Sequence, residues 1–387
     1  MRAPALIVSL LLTVAAALAA LVIMVPSFNQ KMTFLAVALD EKTLFVIAAA
    51  LAGSVLAWAS WRPDRWLAPA ISMALAAFAT GVSLIPPVQA VRLARERHVS
   101  LSWKRYLTST ADIRAARPHL TLVYATVEGR PLALDVYRPP ATAAPVPAVI
   151  VIHGGGWSGG DKGETPEQSA RLAAQGYAVF DIQYRVSPQP NWKSAVGDVK
   201  CAIGWVKQHA REAGVEIDPQ RVTLLGRSAG GHLALVAGYT ADDPSLPPSC
   251  PAPDTRVEAV ISFYAPTDLV WGYEHPTNPR VYPSSQQLRA FLGGPPSAAA
   301  EAYQACTIGN HVTAKTPRTL LLHGNQDQFV SPAHVHFLAP KLRAAGVPHD
   351  VVIIPYGQHG FDYIVGGLSN QIVEAAVLRF LGAGRSV

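Results

Sequence analysis

The hydrophobic pattern splits the chain into a front part with little polar relief and a remainder that alternates. Residues 5–25 carry no charge and are overwhelmingly apolar, and residues 44–61 and 66–86 repeat that character. A helix of about 20 apolar residues crosses about 30 Å of hydrocarbon, so three transmembrane helices are predicted. A cleaved signal peptide is the rival for the first stretch. One arginine ahead of an overlong apolar core, with no clear small-residue cleavage site before polar sequence, argues against it. Buried soluble helices would need partners covering them all round.

From residue 120 onward, short apolar runs alternate with amphipathic stretches. Residues 121–127 and 132–137 alternate around Glu128-Gly129, the pattern of a hairpin. Residues 147–152 are continuously apolar, suited to a strand buried on both faces. A helix is predicted to start at Thr165-Pro166-Glu167-Gln168, with Thr165 as cap and Gln168 in the capping-box position, and to end at Gly176. Residues 177–182 return as a strand, and residues 194–213 read as a helix stopped by Gly214. Residues 222–225, 257–264, 319–322 and 350–354 read as further strands. Right-handed crossovers between such elements give an α/β fold, a mostly parallel sheet flanked by helices, with ligands at the carboxyl ends of the strands. Between residues 266 and 315 the alternation lapses, and Trp271, Tyr273, Tyr282 and Phe291 sit among prolines and glycines. Such an insertion is either part of a cap over a pocket or an aromatic mini-core sealing the sheet. The expected organisation is a membrane region over 1–90, a basic connector over 91–119, and a catalytic domain over 120–387 with a cap-like insertion at about 267–315.

Chemistry enters at Gly226-Arg227-Ser228-Ala229-Gly230, which follows an apolar run directly. A strand turning at once into a helix strains the serine backbone and demands small neighbours, the grammar of a nucleophile elbow. By itself the pentapeptide is equally compatible with a plain strand-to-helix turn. Its company adds weight. The run 147–152 empties into His153-Gly154-Gly155-Gly156-Trp157, where consecutive glycines let backbone N–H groups approach a substrate oxygen. The run 319–322 is followed by Asp327, and after one more helix and strand comes His359. Ser, Asp, His is the chain order of α/β-hydrolases.

On these residues the chain resembles an α/β-hydrolase of the hormone-sensitive-lipase and carboxylesterase group, and more narrowly small esterases with His-Gly-Gly-Gly-Trp followed by Gly160-Asp161-Lys162. Further matching pieces are Leu134-Asp135-Val136-Tyr137-Arg138-Pro139, Tyr184-Arg185, Asp198-Val199-Lys200 and Asp218-Pro219. The likeness covers about 120–381 and is silent on the first hundred residues. It departs at Ala305-Cys306-Thr307-Ile308, where relatives tend to read Ala-Ser-Pro-Ile. The resemblance implies an α/β-hydrolase fold and hydrolysis of a small-molecule or lipid ester without a cofactor. Ser228 would be the nucleophile, His359 the base and Asp327 its orienting acid, while the N–H groups of Gly155, Gly156 and Ala229 would form the oxyanion hole. Asp268, just past the 257–264 strand, is the alternative acid. His153 braces the glycine loop, and Trp157, Trp271 and Tyr273 are the pocket residues proposed. An amidase or arylformamidase would use the same triad, and a silent ligand-binding member of the fold would keep the pocket alone.

Composition adds limits. Of 387 residues 15% are charged, against about 25% in ordinary soluble domains, and the formal net charge is +6. The positive residues cluster at Arg92, Arg95, Arg97, Lys104 and Arg105, beside the last apolar stretch. There they suit either a solvated connector or anionic lipid headgroups. No aromatic-interleaved basic stripe points to nucleic acid. His334-Val335-His336 reads as helix, without further ligands for a metal. Cys201 falls on the apolar face of its helix, as a core residue would; Cys250 and Cys306 could pair in an oxidising compartment, though sequence does not set their distance. The expected location is a multi-pass membrane protein embedded in the lipid bilayer. Lys31, Lys42 and the basic cluster lie on the hydrolase side of the spans, so the charge bias leans toward a cytoplasmic catalytic domain. Because the alternating pattern is complete from about residue 120, the hydrolase is expected to hold its own core, with the spans as an anchor. The competing arrangement has the spans or the connector forming a wall of the pocket.

Overall fold

The computed structural model describes residues 2–108, 116–140 and 145–382. Part of the expected connector, 109–115, lies outside them. The front of the chain is a helical bundle in which α1 (Arg2–Met24), α3 (Thr43–Ala59) and α4 (Leu67–Ser83) pack pairwise. Small residues set their spacing: a Cβ at Gly53 would sit 2.5 Å from the Thr13 methyl, so only glycine lets α1 and α3 approach this closely. At the same level Ser9 Oγ donates to the Gly53 carbonyl at 2.7 Å, and Ser72 Oγ lies 2.6 Å from Ser9 Oγ and 3.0 Å from Thr13 Oγ1. The stretches Pro4–Met24 and Leu67–Glu96 are each long and apolar enough to cross a membrane. The second includes α5 (Ile85–Glu96). The middle stretch is helical as expected, but at 17 residues it is long enough to cross only together with the helix before it. Its helix ends at Ala59 and is preceded by an unforeseen helix, α2 (Gln30–Glu41), and the two are bent by 78°. Asn29 caps α2 by accepting from the Met32 N–H at 2.9 Å, and Lys42, off helical geometry at φ −128°, ends it. A short α6 (Trp103–Thr108) follows.

The remainder is one eight-stranded sheet in the order β1-β2-β4-β3-β5-β6-β7-β8. β1 (Leu120–Val127) and β2 (Arg130–Tyr137) form the antiparallel hairpin, and β2 is also antiparallel to β4 (Ala178–Ile182). β3 (Val146–Ile152), β4, β5 (Ile217–Arg227), β6 (Ala259–Phe263), β7 (Arg318–Gly324) and β8 (His349–Ile354) run parallel. The apolar runs of β3 to β7 are buried on both faces, as helices on each side require, while the edge strand β8 buries Val352 and Ile354 and leaves Val351 and Ile353 half-buried. One face is covered by α8 (Trp192–His209), α9 (Ala229–Tyr239) and α13 (Ala333–Ala344), the other by α7 (Pro166–Ala174), α14 (Leu368–Gly382) and α5. The insertion forms α10 (Leu269–Glu274), α11 (Ser284–Leu292) and α12 (Ala300–Cys306), and Phe291, Leu292, Tyr303 and Cys306 bury into the larger core.

Two local expectations are corrected. Thr165 makes no side-chain cap to α7. Gln168 does not reach back to it, because its amide is drawn elsewhere: Nε2 donates to the Asp362 carbonyl at 2.9 Å and Oε1 accepts from Arg227. The cysteine pairing differs as well. Cys201 is buried on α8, but it is bonded to Cys250, while Cys306 is buried and free. The loop 247–252 lies along α8, where Gly197 and Gly204 leave room for Ser249 and Ala252, and this brings Cys250 to Cys201.

A buried ion pair joins the carboxyl edges of β5 and β8. Arg227 Nε donates to Asp362 Oδ2 at 2.7 Å, and both side chains are essentially without solvent contact. Burial opposes the charge on Arg227, but the adjacent Asp362 carboxylate outweighs it and holds the guanidinium protonated. Phe263 lies under the guanidinium at 4.8 Å, and the Tyr264 hydroxyl donates to Asp362 Oδ1 at 2.6 Å.

Two outcomes follow for stability. Asp362→Asn leaves a buried, uncompensated cation and is expected to cost about 3–5 kcal/mol in urea denaturation. Cys201→Ser should cost about 2–4 kcal/mol by releasing a closed loop in the unfolded chain. Non-reducing peptide mapping of the native full-length protein should recover the 201–250 linkage and leave Cys306 alone to be alkylated after unfolding.

Candidate active site

The site lies where β3, β5, β7 and β8 end. β5 stops at Arg227 and α9 begins at Ala229, so Ser228 alone makes the turn, with φ 52° and ψ −119°. A left-handed φ is costly for a residue with a Cβ. It is held by the Ser228 N–H donating to the Phe263 carbonyl at 2.9 Å and the Ser228 carbonyl accepting from His232 N–H at 2.9 Å. The flanking glycines are demanded by space: a Cβ at Gly226 would lie 2.2 Å from the Gly230 carbonyl oxygen, and one at Gly230 would lie 2.2 Å from those of Ile152 and His153.

Beyond β3 the glycine loop wraps over Ser228. Gly155 (φ 103°) has no room for a Cβ, which would fall 2.1 Å from the Gly159 oxygen. Side chains hold the loop. The Gly154 N–H donates to Glu164 Oε2 at 2.9 Å, and the Tyr184 hydroxyl lies 3.2 Å from the carbonyl oxygens of His153 and Gly154. Asn191 Nδ2 donates to the Trp157 carbonyl at 2.9 Å. His153 stacks on Tyr184 at 4.2 Å with Nδ1 2.8 Å from the Gly154 oxygen, a bracing position.

β7 and β8 are neighbours, which brings the loops after them together. His359 Nδ1 lies 2.7 Å from Asp327 Oδ2, while Asp327 Oδ1 accepts from the N–H groups of Phe329 and Val330 at 2.8 and 2.9 Å. Burial pushes the Asp327 carboxyl up, but His359 and the hydrogen bonds from His323 and His359 win, holding it well below the usual carboxylate range. A carboxyl depressed in this way contributes its full stabilisation above the unfolded value and loses it only as pH falls through the lower folded value. The His359 ring sits between Tyr264, at 4.4 Å, and Phe329, stacked at 4.8 Å. Asp268 is elsewhere: its Oδ1 caps α10 by accepting from the Trp271 N–H at 3.0 Å.

Ser228, Ala229, Gly156 and Trp157 line one pocket with Tyr282, Leu288, Phe329 and His334. The pocket is narrow beside Ser228 and opens to solvent. Of the predicted pocket residues, Trp157 is in place, stacked on Phe291 at 4.4 Å. Trp271 and Tyr273 are not lining residues. Trp271 stands one layer behind, stacked on His275 and edge-on to His334 and Phe337, and Tyr273 packs edge-on to Tyr303. Tyr282 of the insertion reaches the pocket instead. Burial lowers His334 to about 3, and its Nδ1 accepts from the Thr267 and Asp268 N–H groups at 3.2 and 3.3 Å. It is a neutral wall. No group of three or more His, Cys, Asp or Glu suited to a metal occurs among the described residues. Phe329 and the Arg227–Asp362 pair were missed in the sequence. The one available signal was an arginine inside an otherwise apolar strand end.

Comparison with known proteins sets the chain beside esterases. The chain is 32% identical to the probable carboxylic ester hydrolase LipM of Mycobacterium tuberculosis over 65% of its own length and 58% of LipM. It spans about three fifths of the length of the curated mycobacterial relatives it matches. Among solved structures it resembles Thermogutta terrifontis esterase 2 phosphonylated by sarin, with 27% identity, 70% of this chain and 95% of that chain covered, and a TM-score of 0.58. The propionate-bound form of that esterase aligns at 26% identity with a TM-score of 0.54, over 68% of this chain and 94% of that one. The sheet order and helical layers are those of an α/β-hydrolase, and since residues 134–342, more than half of its length, match the BD-FAE family, the chain belongs to that family.

Proposed function

We propose that the protein is a membrane-anchored serine carboxylic ester hydrolase for short acyl groups, working through an acyl-enzyme intermediate. Ser228 attacks the ester carbonyl, His359 takes its proton and returns it to the leaving alcohol, and Asp327 fixes the imidazole tautomer. The N–H groups of Gly155, Gly156 and Ala229 hold the tetrahedral oxyanion. The observation that carries this reading is the 2.7 Å contact between His359 and a buried, ionised Asp327, on the same sheet edge as the strained Ser228. The narrow pocket beside Ser228 supports short acyl groups, as do the relatives described as esterases and the propionate found in one of them.

Membrane anchoring is supported by the outward faces of the bundle. Ile7, Leu11, Val14, Leu18 and Leu21 of α1, Leu51 and Val55 of α3, and Ile71 and Phe78 of α4 are all exposed. Apolar area on this scale calls for a lipid or protein partner. Exposed Trp58, Trp61 and Trp66 cluster at one end and Phe45 and Trp103 near the other, the distribution favoured at two membrane–water interfaces. The Cys201–Cys250 disulfide favours an oxidising compartment for the hydrolase, opposite to the charge bias. That bias has another explanation in docking: Arg97 pairs with Asp350 at 2.8 Å, Arg105 with Glu374 at 2.6 Å, and Lys42 Nζ donates to the Tyr106 carbonyl at 2.7 Å.

Full-length protein should hydrolyse nitrophenyl acetate. Ser228→Ala should remove turnover by up to ~10⁶ with the circular dichroism unchanged, and near-normal turnover would overturn the assignment. Asp327→Asn is expected to lose on the order of 10⁴ while Asp268→Asn loses little; the reverse ranking would move the acid to the loop after β6.

A further inference from the structure

The turn between α1 and α2 does not hang free beneath the hydrolase. The Ser27 N–H donates to Gln328 Oε1 at 2.9 Å. Asn278 of the insertion clamps both partners, its Nδ2 donating to the Ser27 carbonyl at 2.8 Å and to Gln328 Oε1 at 2.9 Å. Gln328 Nε2 in turn reaches Gln358 Oε1 at 3.3 Å. Gln328 follows Asp327 and Gln358 precedes His359, so one buried amide ties the turn to both loops that carry the proposed acid and base. Aromatic contacts run beside it: Phe34 of α2 meets the edge of Phe329 at 6.0 Å, and Phe329 is stacked between Tyr282 at 5.0 Å and His359 at 4.8 Å. A second attachment lies at the far end of α2, where the buried Glu41 carboxylate accepts from the Ser369 N–H at 3.0 Å, at the amino end of α14.

Placement relative to the bundle gives this contact its meaning. α1 and α3 pack with Ser9 and Thr13 opposite Gly53, and further along with Ala16, Ala17 and Ala20 in one cluster with Ala50 and Val46, so the helices are antiparallel and Met24 and Thr43 emerge at the same end. α2 joins those two ends and therefore runs across the hydrolase-side surface of the bundle. Its inward face buries Thr33, Ala36, Val37 and Glu41. Phe34 and Leu35 are nevertheless 50% exposed each, and Phe28 in the preceding turn is 65% exposed. An apolar path thus leads from the level where the bundle meets the hydrolase, along α2, to Phe329 in the wall of the Ser228 pocket. That pocket is narrow, whereas Phe28, Phe34 and Leu35 outside it stand exposed.

We propose that the α1–α2 turn and α2 form the outer lip of the ester site, and that the substrate is a bilayer-dissolved ester whose short acyl group reaches Ser228 while its long apolar alcohol portion lies along Phe28, Phe34 and Leu35. This rests on the reading of Ser228 as the nucleophile. It replaces the anchor-only role expected from sequence: the front of the chain contributes a wall to the site and keeps the loops after β7 and β8 in register.

The test uses full-length protein in phosphatidylcholine vesicles and two nitrophenyl methylphosphonates, one with a short alkoxy group and one with a long alkoxy chain bearing a diazirine. Attack by Ser228 forms the oxygen–phosphorus bond and expels nitrophenolate, which is read by absorbance. After reaction with the long probe, irradiation should cross-link the peptide containing Phe28, Phe34 and Leu35. Phe34→Ser should slow the long probe about tenfold relative to the short one, the loss of one apolar contact surface. Cross-links confined to α10 and α11, or an unchanged ratio of the two rates, would overturn entry along α2 and leave the serine hydrolase reading intact. If neither probe releases more nitrophenolate from the wild type than from Ser228→Ala, the nucleophile assignment fails and the lipid path fails with it.

Discussion

The ion pair between Arg227 and Asp362 is the constraint on which the rest of the site depends. A guanidinium with almost no solvent contact cannot persist without a carboxylate, and breaking such a pair costs far more than forming it contributes. Arg227 immediately precedes Ser228, and Asp362 follows His359 by three residues. Pairing them sets the elbow after β5 and the loop after β8 in register across two intervening strands. The same carboxylate accepts from Tyr264, whose ring lies against His359, and Gln168 brings α7 into the network. A polar cluster buried to this degree must be satisfied throughout, which makes the geometry unique.

Strain is concentrated at the same edge. Ser228, Trp157, Tyr264 and Tyr356 all adopt left-handed backbone conformations, and Gly155, Gly156 and Gly160 extend the series through the glycine loop. Residues with side chains take such conformations only where their surroundings over-determine them. The surroundings here are the rigid parallel strands and the polar braces Glu164, Tyr184 and Asn191. The result is a set of backbone groups and one hydroxyl gathered around a narrow pocket whose walls are aromatic, with the His359 imidazole held between two rings.

The front of the chain is coupled to that pocket by a small number of specific contacts. Ser27, Gln328, Asn278 and Gln358 form one chain of amide and backbone hydrogen bonds, and Glu41, Lys42, Arg97 and Arg105 add attachments further from the site. Charges that read as a membrane-surface signal in one dimension act in three dimensions as docking contacts between helices and sheet. The disulfide from α8 to the loop at Cys250 shows the same dependence on context: its partner was decided by which loop lies along the helix, through Gly197 and Gly204, and not by which cysteine sat outside an apolar stripe.

The apolar runs of β3, β5, β6, β7 and β8, the turn glycines between elements, and the order of Ser228, Asp327 and His359 were legible because each is written locally: side-chain period, conformational freedom and chain order need no distant partner. The bundle helices were legible for the same reason, as long uncharged stretches. The pairing of Cys201, the diversion of Gln168 from its helix cap, the retreat of Trp271 and Tyr273 behind the pocket, and the approach of Phe34 and Ser27 to the loops of Asp327 and His359 were not. Each depends on which surfaces meet between segments distant in the chain, from 49 residues apart for Cys201 and Cys250 to 301 for Ser27 and Gln328, or around a bend such as the 78° break after α2. One-dimensional periodicity reports which face of an element seeks burial, and only the packed structure decides what that face is buried against.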